Sequence, residues 1–263
     1  MKRFLASLLL LVLAAAPSYA GLRFRFENTT TGGPGSLAGT AAVEGSSLRI
    51  DVSRGDGFLL PDGAIVLSKD GGATLTVIDP SKQHYYQLEL ERMFASVGSL
   101  LTQMGGMFEM NVRDAKVTVT DQGKGEPILG YPTHKHRVRT SWTLDMNVMG
   151  QKTSFAYATD AEMWVTDAIP AEQATFLQFR NMRTGHPELD ELIETQTAGV
   201  EGFPLKVVTR TRTVQGTKVD EQTTTMTVSE MEKVAIPAGR FEIPAGFERV
   251  ASPLEALQQG LPR

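Results

Sequence analysis

From residue 134 to residue 148 the chain alternates between two kinds of side chain. His134, His136, Val138, Thr140, Trp142, Leu144, Met146 and Val148 fall on one parity, and Lys135, Arg137, Arg139, Ser141, Thr143, Asp145 and Asn147 on the other. Successive side chains of a strand point to opposite faces, so this period of two predicts a long strand with one apolar and one polar face. A helix would mix the two sets. The run Lys152–Val165 continues the pattern, with Phe155, Tyr157 and Met163 on one face, and Gly150 lies between the runs. The expectation is an antiparallel hairpin of Thr133–Val148 with Lys152–Val165, which needs further strands to cover its apolar side.

Such strands are legible elsewhere. Leu22, Phe24 and Phe26 alternate with Arg23, Arg25 and Glu27, and Leu48, Ile50 and Val52 with Arg49 and Asp51. Gly39–Val43, Ala64–Leu67, Thr74–Ile78, His84–Leu88, Phe108–Val112, Lys116–Thr120, Leu205–Val214 and Lys218–Glu230 read as strands, separated by turns such as Lys69-Asp70-Gly71-Gly72. The period changes to that of a helix over Leu90–Gln103, where Met93, Val97, Leu100, Leu101 and Met104 recur at helical spacing before Gly105-Gly106. Pro170–Arg183 and Pro187–Thr197 read as shorter helices. Strands in meander order with a few helices predict an antiparallel sheet with helices on one side.

The N-terminus has its own pattern. Lys2 and Arg3 precede an uncharged Phe4–Ala16 run, and Pro17-Ser18-Tyr19-Ala20 places small residues before Gly21. This three-part arrangement predicts a cleavable signal peptide over residues 1–20, with cleavage near Ala20-Gly21 and a periplasmic or secreted destination. The apolar run is shorter than the roughly 20 residues a spanning helix needs, so the chain is expected not to span a membrane. Its zero cysteines exclude a lipid-anchored lipoprotein and a disulfide framework. Without Lys2 and Arg3 the net charge is −6, which argues against a nucleic-acid partner. Residues 21–250 are expected to form one β-rich domain and 251–263 a polar tail.

Four segments carry a family resemblance: Gly130-Tyr131-Pro132-Thr133, Ala161-Glu162-Met163-Trp164-Val165-Thr166-Asp167-Ala168-Ile169-Pro170, Gly202-Phe203-Pro204-Leu205, and Ile236-Pro237 through Phe241-Glu242-Ile243-Pro244-Ala245-Gly246-Phe247. In that order, over residues 116–250, the chain resembles an exported bacterial family of unknown function similar to the lipoprotein-localisation factors LolA and LolB. The resemblance implies an α+β fold: an incomplete antiparallel β-barrel, or half-barrel, with a few helices covering its open side. It also implies a shape in which relatives hold acyl chains. A shape transfers between relatives more securely than a task.

Several residues are candidates for function. Trp142, Leu144, Met146, Phe155 and Tyr157 share an apolar face that either belongs to a filled core or lines a cavity. Met93, Met104, Phe176 and Phe179 would cover it from the helices. His134 and His136, two apart on a strand, can point the same way and chelate zinc, though a zinc site needs three or four ligands. Met104-x-x-Met107-x-x-Met110 and Met146-x-x-Met149 offer soft sulfur for copper(I), against the commoner use of methionine as core filler. Gly-x-Ser-x-Gly, His-Glu-x-x-His and phosphate-loop motifs are missing from the sequence, so no catalytic set and no cofactor is assigned. The expectation is a non-enzymatic periplasmic carrier for a hydrophobic or acylated ligand. The alternatives are a cell-envelope scaffold with a filled core that binds a protein partner, and zinc or copper handling.

Overall fold

A computed structural model describes residues 21–32, 35–55, 60–89, 108–170, 173, 187–253 and 255–256; of 108–110, 187–189 and 196–198 only the backbone is described. The strands are β1 (Gly21–Thr31), β2 (Ser36–Glu44), β3 (Ser47–Arg54), β4 (Ile65–Ser68), β5 (Thr74–Asp79), β6 (His84–Glu89), β7 (Phe108–Lys124), β8 (His134–Val148), β9 (Gln151–Thr166), β10 (Phe203–Gln215), β11 (Lys218–Val234) and the short β12 (Glu248–Arg249). One α-helix, α1 (Pro187–Ala198), and a 3-10 turn at Ala238–Phe241 are the helical elements named among the described residues. The expected helices at Leu90–Gln103 and Pro170–Arg183 fall outside those residues except for Pro170 and Gln173.

All twelve strands join one open sheet in the order β12, β6, β5, β4, β3, β2, β1, β11, β10, β9, β8, β7. The pairings are antiparallel except β12 with β6. β1 lies inside the sheet, between β2 and β11, so the first and last long strands pair directly. The two strands expected at Phe108–Val112 and Lys116–Thr120 are one, β7, whose register shifts between Arg113 and Lys116. A bulge leaves residues unpaired without ending the strand, and Asp114 adopts a left-handed φ of 58° there.

Most of the core lies on one face, while Ala42, Leu67 and Ile78 are buried on the other. Leu22, Phe24 and Phe26 of β1 pack with Ala41, Val43, Leu48, Ile169, Phe203, Leu205 and Val228. Phe24 and Phe203 meet edge to face, 5.2 Å between ring centroids and 85° between planes, a favoured aromatic geometry. Val52, Ala64, Val66, Val77, Tyr86 and Leu88 continue the core towards β6. At the other end α1 packs against β7, and Val200 just beyond it sits with Val138 and Val165. The segments that carried the family resemblance are largely core and turns. Phe203 and Leu205 are fully buried, and buried Thr133 donates from Oγ1 to the Glu126 carbonyl at 2.6 Å. Arg240 in the 3-10 turn reaches Asp51 at 3.2 Å and accepts at its carbonyl from Arg49 at 3.1 Å, tying the C-terminal segment to β3.

The β8–β9 hairpin turns at Met149-Gly150, with φ of 52° and 84°, between the paired residues Val148 and Gln151. Two positive φ values in a two-residue connection match the strand twist. Glycine takes that conformation freely, whereas Met149, 71% exposed, bears its cost. Met149→Asn is therefore expected to raise unfolding free energy by about 1 kcal/mol in urea titration. Phe203→Ala is expected to lower it by about 3–5 kcal/mol.

Candidate functional site

The register puts the predicted apolar residues together. Trp142 stands opposite Tyr157, Leu144 opposite Phe155 and Met146 opposite Thr153. The Trp142 and Tyr157 rings stack at 4.3 Å and 18°, and Phe155 follows Tyr157 at 6.3 Å. All five named residues are half-buried. Tracing partners from Tyr157 to Thr213, and from Val207 through Met226 to Asn28, places this patch on the same face as Phe24. Asn28 Oδ1 is buried on that face without a hydrogen-bond partner among the described residues. Met93, Met104, Phe176 and Phe179 lie outside the described residues, as does the predicted signal peptide.

His134 and His136 also fall on this face, opposite Val165 and Met163. Among the described residues no group of three or more His, Cys, Asp or Glu side chains is placed to hold a metal ion. Of the methionine series, Met104 and Met107 lie outside the described residues, Met110 pairs in register with Met146, and Met149 occupies the hairpin turn.

The opposite face of β7–β11 carries an arrangement that the sequence reading treated only as an outer polar surface. One row runs across six strands as Thr118, Arg139, Asp160, Arg210, Thr223 and Thr31. The next row runs Lys116, Ser141, Ala158, Arg212 and Glu221. Together they line a cavity of about 830 Å³. The intervening Thr140, Thr159, Thr211 and Gln222 also border it. Alternation sends their side chains to the other face, so they contribute backbone to the floor. Thr31 and Thr118 lie five strand spacings apart, roughly 24 Å in a flat sheet. The two rows form the walls of a trough that reaches from Thr118 to Thr31, with the intervening backbone as its floor.

A third row, Arg137 beside Glu162, borders this groove. Arg137 donates to Asp160 with two nitrogens, from Nε at 2.7 Å and from Nη2. Lys135 donates to Glu162 at 2.8 Å. These bonds hold the carboxyls of Asp160 and Glu162 below their ordinary range, the bond from Arg137 being the largest cause for the first and that from Lys135 for the second. The Lys135 ammonium also lies 4.6 Å from the Trp164 ring centroid, and Lys206 approaches the same ring at 4.6 Å. This cation–π sandwich is completed by Gly125, where a Cβ would lie 2.9 Å from Trp164 Cδ1 and 2.5 Å from Thr133 Oγ1.

A carboxyl with a depressed folded pKa contributes stability above its unfolded pKa, and that contribution is lost as pH falls through the folded value. The unfolded values lie near 4. Acid titration of thermal stability is expected to show a loss below about pH 4. The loss should be smaller in Asp160→Asn, which is already less stable at neutral pH.

Comparison with known proteins places the chain in a family. The sequence profile of the family described as "Domain of unknown function (DUF4412)" matches residues 30–247, and the chain belongs to it. No curated protein matches. A solved structure of PNGF-II is similar over 88% of this chain and 30% of its own length, at 10% identity and a TM-score of 0.34. The chain thus spans less than a third of that protein, and so slight a likeness carries no argument for fold or activity.

Proposed function

We propose that this member of the DUF4412 family is a non-catalytic, exported carrier that holds the apolar part of a hydrophobic or acylated ligand against the Trp142 face of its sheet. The observation that carries the reading is the half-buried stack of Trp142, Tyr157 and Phe155, continued by Leu144 and Met146. Ligand sites are mostly apolar, with a few placed polar groups. The flat rings and flexible thioether suit an acyl chain, and Asn28 Oδ1 offers an acceptor on the same face. In this reading the open sheet acts as an incomplete barrel, and the N-terminal segment directs the chain to the periplasm.

The adaptor alternative would use a free sheet edge to add a partner strand. β7 is the long edge, and its register is irregular at Arg113/Lys116 and again at Asp121/Lys124. Bulges and charges are devices that discourage edge pairing, which favours the carrier.

Trp142 and Trp164 are the two tryptophans, and they sit on opposite faces of β8 and β9. A fatty acid docking on Trp142 is expected to shift its emission to the blue, and Trp142→Phe should remove the shift. Native mass spectrometry of protein taken from the periplasm should show a bound lipid. Protein that carries no ligand and ignores fatty-acid and lipopeptide probes would refute the carrier.

A further inference from the structure

The polar face carries a second site with a different chemistry. Four cations, Lys116, Arg139, Arg210 and Arg212, line the groove against two anions, Asp160 and Glu221. This excess runs against the chain's net charge of −4. The strongest local bonds have already been taken by other residues. Asp160 receives two nitrogens of Arg137, which leaves Arg139 at 3.5 Å from it. Glu162 receives Lys135 at 2.8 Å, which leaves Arg210 at 3.7 Å. Arg212 keeps a single 3.3 Å contact to Glu221, whose side chain is 71% exposed. Lys116 makes no ion pair among the described residues. A guanidinium has five donors, so Arg139 and Arg210 bring most of theirs to the groove unspent. They stand in one cross-strand row on either side of Asp160.

We infer that this groove binds an anionic ligand through a phosphate group, clamped by Arg139 and Arg210 and supported by Lys116 and Arg212. Guanidinium forks match the geometry of phosphate oxygens, and charge-assisted hydrogen bonds of this kind are the strong ones. The rest of the rim is rich in hydroxyls: Thr31, Thr118, Ser141 and Thr223. Those groups suit a polyhydroxylated body such as a glycerol or sugar unit attached to the phosphate. Ala158 sits in the Lys116 row between Ser141 and Arg212, and its small side chain leaves room above the floor. A volume of about 830 Å³ accommodates a ligand of that size. The site is separate from the acyl-binding face, because the two lie on opposite sides of the same strands.

Calorimetric titration at low ionic strength tests this with three probes: glycerophosphoglycerol, vesicles of phosphatidylglycerol in phosphatidylcholine, and glucose as the uncharged control. Binding of the soluble probe identifies a free phosphodiester as sufficient. Binding of the vesicles alone identifies a phospholipid headgroup in a membrane surface. Either supports the groove, provided that affinity falls at least tenfold in Arg139→Ala/Arg210→Ala, falls less in Arg139→Lys/Arg210→Lys, and weakens with added salt. The lysine variant keeps the charges, so it also serves if the alanine variant fails to fold. Repeating the titration with a saturating fatty acid should leave phosphate affinity unchanged, so that failure of the acyl site and failure of the groove are told apart. No binding beyond that of glucose and pure phosphatidylcholine, or equal binding by the wild type and both double variants, would overturn the inference.

Discussion

The pairing of β8 with β9 fixes what each face of the sheet can do. Fifteen consecutive residue pairs, from His134 with Val165 to Val148 with Gln151, keep one register without interruption. A slip of one residue would send every side chain to the other face. It would bury Arg137 and Arg139 and expose Val138 and Trp142. The Met149-Gly150 turn closes the hairpin at one end. At the other, Trp164 is held between Lys135 and Lys206, and Val165 lies in the core with Val138 and Val200. Because β10 and β11 continue the same register, the cationic row and the aromatic patch are both consequences of this pairing.

Each face then has its own physics. On the apolar face, burial around Phe24, Phe203 and Leu205 holds β1, β2, β10 and β11 together, and towards β8 and β9 the cover thins to half-buried rings. On the polar face the charges are not evenly shared. Asp160 and Glu162 are committed to Arg137 and Lys135, so the neighbouring arginines meet their anions only at longer distance. That division leaves a surplus of positive charge along the groove.

The strands were legible because alternation survives in single residues. Leu22, Phe24 and Phe26 sit buried where their parity placed them, and the stack of Trp142 on Tyr157 follows from the hairpin. The helix at Pro187–Ala198 was also legible, within one residue of the expected Pro187–Thr197. The merging of two expected strands into β7 was not, since a bulge needs a partner strand to define it. The groove was invisible for a related reason. Arg139, Arg210 and Lys116 are far apart in sequence and look like ordinary surface residues on three strands. Only the order β11, β10, β9, β8, β7 makes them neighbours along one groove. The signal that was available lay in the outward parity of β8 and β10, where Arg137, Arg139, Arg210 and Arg212 recur at even spacing.

The central claim is that one hairpin register sends the aromatic patch and the cationic row to opposite faces of the sheet. Cross-strand nuclear Overhauser contacts measure that register directly. The account predicts backbone-proton contacts between Arg139 and Asp160 and between Trp142 and Tyr157. Contacts displaced by one residue, Arg139 with Thr159 or with Ala161, would turn the arginines to the apolar face and would contradict the account.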